Sequence, residues 1–209
     1  MHDRFARRIS ANRIEGCRVV GWRLRDNGIR RKEEKMEFDI LYALQEIHTQ
    51  WADVVMVTIT HLGDGGIFWI VVSLVLALIP KTRRCGVTMM AAMALSFLLG
   101  NLFLKNVIAR LRPCTIDSSV KLLIPFPSEY SFPSGHTLNG FTAAGVLFAC
   151  YRKWGIAALC LAAMIAFSRM YLFVHFPTDI LGGLVLGLFD AWITVWISRK
   201  IMNRRKQSQ

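Results

Sequence analysis

The sequence lacks the paired cysteines of a disulfide framework or a zinc site. Its 209 residues include five cysteines, which is an odd number, and no Cys-x-x-Cys pair. We therefore expect neither cross-links nor a structural zinc ion, and no cluster of residues has the spacing of metal ligands. The sequence predicts no metal and no cofactor.

Acidic residues are scarce. The 14 Asp and Glu are outnumbered by 26 Lys and Arg, which gives a net charge of +12 at pH 7. Such a balance can indicate a nucleic-acid partner, but here the basic residues stand in short clusters between apolar blocks and at both ends. Because loops that flank membrane helices have this pattern, the charge favours a membrane bilayer over nucleic acid.

The first 35 residues lack the apolar run that a secretory signal needs. They are rich in Lys and Arg, and we interpret residues 1–35 as a basic, disordered extension that lies near anionic lipid. An alternative is that Met36 is the natural start.

From Met36 onward the chain is strongly apolar, and the whole sequence is 54% hydrophobic with a mean hydropathy of +0.38. The pattern predicts an all-α fold: an integral membrane bundle of about six transmembrane helices, preceded by an N-terminal amphipathic helix. This membrane domain covers residues 36–209. The predicted spans are 51–63, 66–80, 86–109, 137–151, 155–172 and 179–197.

The orientation of the bundle follows from its basic residues. The clusters at 81–84, 152–153 and 199–206 would all lie on one side, together with residues 1–35. The excess of Lys and Arg in cytoplasmic loops then predicts that both termini are cytoplasmic. Several other basic residues fall on the opposite, extracytoplasmic side, where the unusual polar residues also gather.

The first of these polar groups is a pair of cations. Lys105 and Arg112 are seven residues apart, which is two helical turns, so we expect both on one face of a helix that Pro113 ends. Two cations at a membrane boundary can serve as interfacial anchors. They can equally hold one multiply charged anion.

Two histidines follow. The stretch Pro133-Ser134-Gly135-His136 predicts a tight turn into a helix, whose free N–H groups form an anion site. Near the sixth span, Asp179 stands four residues after His175 and can reach its ring. A carboxylate on one imidazole nitrogen fixes the tautomer and frees the other nitrogen for attack.

Taken together, these residues resemble the three-part signature of the type-2 phosphatidic acid phosphatase family. The resemblance covers the chain from about Met36 to the last span and leaves out residues 1–35. Soluble acid phosphatases and vanadium haloperoxidases share the signature, and the apolar spans favour the membrane branch. The matching positions are Lys105, Arg112-Pro113, Pro133-Ser134-Gly135-His136, Ser168-Arg169, His175 and Asp179.

The resemblance implies a role for each residue. It implies that His175 is the nucleophile, that Asp179 orients it, and that His136 is the general acid and then the base. The phosphate oxygens would be held by Lys105, Arg112, Arg169, Ser134 and the Gly135 N–H. It also implies a metal-independent reaction through a phosphohistidine.

The expected function is that of an integral membrane lipid phosphatase. Undecaprenyl pyrophosphate is the preferred substrate by family analogy, and phosphatidic acid or phosphatidylglycerophosphate is the alternative. A non-catalytic lipid-binding protein is a further hypothesis, whereas a transporter lacks visible inverted repeats. Asp64 is a candidate near the site, and Asn101 and Asp190 are expected to form interhelical hydrogen bonds.

Overall fold

The computed structural model describes residues 28–207, and these residues fold as helices joined by turns and loops. This confirms the predicted all-α class. The architecture below is that of the compact unit Met36–Gln209; residues 1–27, most of the predicted extension, lie outside the described residues. The α-helices are α1 (Gly28–Glu46), α2 (Gln50–His61), α3 (Ile67–Leu78), α4 (Arg83–Ser96), α5 (Lys105–Ile108), α6 (Pro113–Ile116), α7 (Gly135–Cys150), α8 (Arg152–Tyr171) and α9 (Pro177–Gln207). A 3-10 turn, Asp64–Gly66, lies between α2 and α3, and a π-helix, Phe97–Leu104, joins α4 to α5.

The helix α7 lies at the centre of the bundle, where it contacts α4, α8 and α9. Its inward face carries small side chains, of which Ala143 and Ala144 are fully buried. Gly187 of α9 lies so close that an added Cβ would stand 2.7 Å from the carbonyl oxygen of Leu138. The small residues of α9 therefore allow the backbones of the two helices to approach closely.

The helix α1 is amphipathic, as predicted. Its residues Phe38 and Leu41 pack with Phe173 and Phe176, which belong to the loop after α8. Ile40, on the other side of the helix, is exposed. The apolar face of α1 therefore covers the end of the bundle at which α8 stops and α9 begins.

The helix α2 runs across the same end of the bundle. Near its start, Asp53 accepts a hydrogen bond of 2.7 Å from the hydroxyl of Tyr171, the last residue of α8. Just after its end, Asp64 contacts His136, the second residue of α7. Because Tyr171 and His136 mark the same end of the bundle, α2 does not connect the two ends.

Among residues 28–207, four helical stretches are long and apolar enough to cross a membrane: Gln50–Leu78, Arg83–Ile116, Arg152–Tyr171 and Pro177–Arg204. The predicted count of six spans is therefore not confirmed. The stretch 50–78 is broken by positive φ angles at Gly65 and Gly66 into α2 and α3, of 12 residues each.

The basic turns gather at the end of the bundle opposite His136. There, the hydroxyl of Tyr151 lies 3.4 Å from the carbonyl oxygen of Lys81. Arg199, near the end of α9, donates a hydrogen bond of 3.4 Å to the carbonyl oxygen of Ala149. This grouping agrees with the pattern of charge in the sequence.

The described residues do not support the prediction that both chain ends lie on one side. Glu37 of α1 contacts Arg110 and Thr178, and both belong to the end that carries His136. Between Glu37 and Arg199 the chain passes from one end to the other by α3, by α4–α5, by α7, by α8 and by α9. These are five passages, because α2 lies across one end and does not connect the two ends. With an odd number of passages, Glu37 and Arg199 lie at opposite ends of the bundle.

Candidate active site

His175 is buried in the loop between α8 and α9. The Nη1 atom of Arg112 lies 2.9 Å from its Nε2, and the Oδ2 atom of Asp179 lies 3.5 Å from its Nδ1. Because a guanidinium group only donates hydrogen bonds, Nε2 carries the lone pair and Nδ1 the proton. The structure thus brings together the predicted His–Asp pair and selects the tautomer in which Nε2 is unprotonated and accepts a hydrogen bond from Arg112.

Asp179 is held by three donors. Pro177 begins α9 and places Asp179 in the first turn. There Oδ2 accepts hydrogen bonds from the backbone N–H of Phe176 at 2.8 Å and from the hydroxyl of Ser131 at 2.5 Å. Arg110 donates to Oδ1 at 2.8 Å. The sequence analysis missed Arg110 and Ser131, although both stand within or beside the motif segments.

The start of α7 presents Gly135 to the cavity described below. A Cβ added at Gly135 would lie 2.9 Å from the Oδ1 atom of Asn101, so a larger residue here would require the Asn101 side chain to shift. Ser134, predicted to bind phosphate, is buried behind it. Its hydroxyl accepts a hydrogen bond of 3.0 Å from Thr137, and it does not line the cavity.

His136 contacts a carboxylate that the sequence indicated only weakly. The Oδ1 atom of Asp64 lies 2.9 Å from Nε2 of His136, and its Oδ2 atom lies 2.7 Å from Nδ1 of His61. The turn Asp64–Gly66, which follows α2, contacts α7 and brings Asp64 to this position. The structure therefore adds Asp64 to the residues around His136.

Lys105 and Arg112 share the cavity but not one helical face. The helix α5 ends at Ile108, and Ala109 adopts a left-handed conformation with φ of 46°. Pro113 begins α6 and does not end the preceding helix as predicted, because proline suits the first helical position. The expectation of two turns of one helix was wrong, since the backbone between the two cations is not continuous α-helix.

The three predicted cations are nearly fully buried. Lys105, Arg112 and Arg169 are 6%, 5% and 4% exposed. The Lys105 ammonium contacts the carboxylate of Glu129, and Nη1 of Arg169 donates to the hydroxyl of Thr60 at 2.7 Å. Burying several cations is costly, so a site that does so is suited to a multiply charged anion.

These side chains surround one cavity of about 540 Å³. Two aromatic side chains at its lining, Phe97 and Phe126, are more than half exposed. Among residues 28–207, no group of three or more His, Cys, Asp or Glu could hold a metal ion. Of the predicted site residues, those in the lining are Lys105, Arg112, Gly135, His136, Arg169 and His175.

Both histidines lie between the candidate membrane spans and are held neutral. Burial, together with the charge of Arg169, lowers the pKa of His136 to about 4, while Asp64 acts in the opposite direction. Burial also lowers the pKa of His175 well below its ordinary value. The pKa of Glu129 is lowered because its carboxylate contacts Lys105. A neutral imidazole can act as a nucleophile or a base.

The two polar residues within the spans differ in their contacts. Asp190 of α9 accepts a hydrogen bond of 2.8 Å from Ser96 of α4, which confirms the predicted interhelical contact. The Oδ1 atom of Asn101 is buried and has no hydrogen-bond partner among the described residues. Instead of bridging helices, Asn101 lines the cavity.

Comparison with known proteins extends these observations. A family model described as the PAP2 superfamily matches residues 85–203. The chain is 35% identical over 130 residues to an undecaprenyl-diphosphatase of Sulfolobus acidocaldarius, covering 62% of this chain and 63% of that protein. The match thus spans less than two thirds of that relative's length.

Two further similarities cover a larger share of the protein that is compared. The chain is 30% identical to phosphatidylglycerophosphatase B of Bacillus subtilis, over 77% of this chain and 82% of that protein. The crystal structure of a transmembrane PAP2-type phosphatidylglycerolphosphate phosphatase from Bacillus subtilis superposes with a TM-score of 0.67 at 30% identity. That superposition covers 81% of this chain and 88% of the other.

Proposed function

Because this chain belongs to the PAP2 superfamily, we propose that it is an integral membrane lipid phosphatase that converts undecaprenyl pyrophosphate to undecaprenyl phosphate. The observation that carries the proposal is the setting of His175. Its Nε2 bears a lone pair beside a cavity lined by three buried cations. That combination suits attack on a phosphoryl group whose charge the cations spread.

The proposed reaction has two steps. Nε2 of His175 attacks phosphorus, an N–P bond forms, and the P–O bond to the lipid phosphate breaks. His136 gives a proton to the leaving oxygen, and then accepts one from the water that hydrolyses the phosphohistidine. Although His136 is neutral in the free site, a bound anionic phosphate beside it favours its protonated form.

The cations would stabilise the phosphoryl group as it moves. Arg112 now donates to Nε2 of His175 and to the carbonyl oxygen of Val174 at 3.0 Å. In the proposed mechanism a phosphate oxygen takes over the N–H that lies against Nε2. Lys105 and Arg169 would bind the remaining oxygens, with no step that requires a metal ion.

The choice of lipid is supported by relatives and not by a contact. One relative bears the name undecaprenyl-diphosphatase. Phosphatidylglycerophosphate is the second candidate, because the likeness to phosphatidylglycerophosphatase B covers more of both proteins. We place the site on the extracytoplasmic face, since the basic turns lie at the other end of the bundle.

The test is phosphate release by detergent-purified protein from undecaprenyl pyrophosphate, phosphatidylglycerophosphate and phosphatidic acid, with and without EDTA. We expect the highest kcat/KM for undecaprenyl pyrophosphate and equal rates in the chelator. A higher kcat/KM for phosphatidylglycerophosphate would transfer the assignment to that lipid. No release from any of them, in protein that binds inorganic phosphate, would favour a non-catalytic lipid-binding role.

A further inference from the structure

A second ion network lies behind Asp179, on the side away from the cavity. Its centre is Arg110, which does not line the cavity. One guanidinium nitrogen, Nη1, donates to Asp179 Oδ1 at 2.8 Å and to the Thr178 hydroxyl at 2.6 Å. The other, Nη2, donates to Glu37 Oε2 at 2.5 Å. Arg110 thus joins the carboxylate beside His175 to a carboxylate of α1.

Glu37 is itself fixed in place. It is only 5% exposed, and its Oε1 atom accepts hydrogen bonds from the hydroxyl of Thr178 at 2.5 Å and from its backbone N–H at 3.2 Å. The carboxylate therefore also caps the first turn of α9, where an anion is favourable. A carboxylate this deeply buried is tolerated only when its oxygens are bonded, as they are here.

The guanidinium of Arg110 is held on a third side by an aromatic ring. Its Cζ atom lies 4.1 Å from the centre of the Phe176 ring, a distance at which a cation is attracted to the ring face. The left-handed conformation of Ala109 turns the chain away from α5 just before Arg110. Two carboxylates, one hydroxyl and one ring thus determine the orientation of this side chain.

We infer that Arg110, held by Glu37, is a positioning residue for phosphoryl transfer, an inference that rests on the proposed function. By binding Oδ1 of Asp179, Arg110 keeps Oδ2 directed at Nδ1 of His175. The orientation of Asp179 toward His175 then depends on Glu37 of α1. We call the contacts from Glu37 through Arg110 to Asp179 the brace. The helix α1 lies outside the residues 85–203 that the family model matches, so the brace brings a residue from outside that region into the support of the site.

The brace and the phosphate site are separate, and this separation makes the inference testable. Without Arg110, Asp179 loses the only cation bonded to it among the described residues. Its carboxylate is then held through Oδ2 alone, by Phe176 and Ser131, and its orientation toward His175 is less well fixed. The cavity-lining cations Lys105, Arg112 and Arg169 do not depend on this contact. Loss of the brace should therefore slow transfer to His175 while phosphate binding is retained.

The experiment compares Arg110→Gln, Arg110→Lys, Glu37→Gln and the double variant Glu37→Gln/Arg110→Gln with wild type. Controls are Lys121→Gln in the loop between α6 and α7 and Glu46→Gln on α1, both exposed. We expect Arg110→Gln to lower kcat roughly 10²-fold, the effect of a small misplacement of reacting groups, with KM changed by less than about 3-fold. Arg110→Lys should recover part of the loss, because it keeps the charge.

Two inhibitors supply the second readout. Orthovanadate resembles the transition state and engages the nucleophile, whereas inorganic phosphate resembles the ground state. In the Arg110→Gln variant, vanadate inhibition should weaken in step with kcat while phosphate inhibition stays within about 3-fold of wild type. Glu37→Gln should have a smaller effect, and none in the Arg110→Gln background, since coupled residues are not additive.

An equal loss of vanadate and phosphate inhibition would show a merely structural role and overturn the inference, as would an unchanged kcat in Arg110→Gln. If phosphate no longer protects Arg110→Gln against thermal unfolding, that variant is not properly folded. The inference is then tested with Glu37→Gln, by the inhibition constants of vanadate and phosphate. A wild-type protein that releases no phosphate refutes the proposed function instead. If the wild type is active and Arg110→Gln has the same kcat, only the role of the brace is refuted.

Discussion

His175 is held on both sides of its ring. Arg112 donates to one nitrogen, while Asp179 and the Ser131 hydroxyl, at 3.4 Å, face the other. These partners come from separate segments of the chain, so the reactivity of one imidazole depends on the packing of the loop after α5 against the start of α9. Single substitutions of His175 or its partners should therefore lower turnover more than they lower the stability of the fold.

His175→Ala should abolish turnover, because Nε2 of His175 is the proposed nucleophile and the other histidine of the cavity lining, His136, has the acid–base role. The residual rate of phosphate release should be below about one part in a thousand. Binding of inorganic phosphate, measured as protection against thermal unfolding, should persist and serve as the folding control. A larger residual rate would mean that another group attacks phosphorus.

Arg112→Lys should lower kcat/KM by about 10–100-fold, which corresponds to the loss of one or two hydrogen bonds to charged groups. Arginine donates at once to the carbonyl oxygen of Glu129 and to His175, and a lysine cannot reproduce this fork. The matched control is Arg84→Lys, an exposed arginine at the other end of the bundle. Near-normal kcat/KM would identify Arg112 as an interfacial anchor.

Thermal stability should fall as the pH drops from about 6.5 toward 4. The pKa of His136 is about 4 in the folded protein and near 6.5 in the unfolded chain, so the unfolded chain binds more protons in this window. The penalty is on the order of 3 kcal/mol at pH 4. His136→Gln should flatten the decline in melting temperature with pH, although His175 still contributes in the same direction. An unchanged slope would contradict the low pKa of His136.

Among the helices, α1 has the least obvious connection to the site. The sequence predicted its apolar face, and the structure adds that Glu37 on this helix reaches Arg110 and Thr178. The helix that the sequence predicted as an interfacial amphipathic helix therefore contacts the site on the side of Asp179 that faces away from the cavity. Its contribution can be measured by shortening the chain in two steps.

A chain that starts at Met36 should keep its turnover, because Glu37 and its partners all lie within Met36–Gln209. A chain that starts at His48 should lose at least as much kcat as Arg110→Gln, since it lacks both Glu37 and the apolar cover of Phe38 and Leu41. The measurement is phosphate release from folded, monodisperse protein in detergent. Equal rates for the two truncations would show that α1 is dispensable.

The motifs predicted which residues meet, but not the backbone that joins them. The spacing of the histidines, the aspartate and the cations in the sequence was sufficient to predict that His136, His175 and Asp179 lie at one end of the bundle. The break at Ala109 escaped notice, because nothing about an alanine indicates a left-handed φ. Asp64 was uncertain for a related reason: its approach to His136 depends on two glycines that bend the chain between α2 and α3.

For the chain as a whole, the sequence predicted the class of fold and the family, and both were confirmed by the helical structure and by the match to residues 85–203. It did not predict the number of passages between the two ends. A window of apolar residues such as 51–63 has the composition of a span whether it crosses the bundle or lies on its end. Only contacts with Tyr171 and His136 distinguish these cases.

The side of the membrane on which the site lies can be tested with two matched cysteines. The natural thiols Cys85 and Cys114 are both buried, so Lys121→Cys and Lys153→Cys are introduced into a cysteine-free protein. In intact cells, a membrane-impermeant thiol reagent should label the former from outside and the latter only after permeabilisation. The reverse pattern would place the site in the cytoplasm.

The exposed rings of Phe97 and Phe126 at the cavity lining have a kinetic consequence. They offer an apolar margin to a substrate whose tail stays dissolved in the membrane, so in the proposed function the enzyme and its substrate meet by lateral diffusion in two dimensions. The rate is then set by the mole fraction of the lipid phosphate in the membrane or micelle, and not by its concentration in bulk water. Adding inert lipid would slow the reaction by dilution alone, with every contact in the site unchanged.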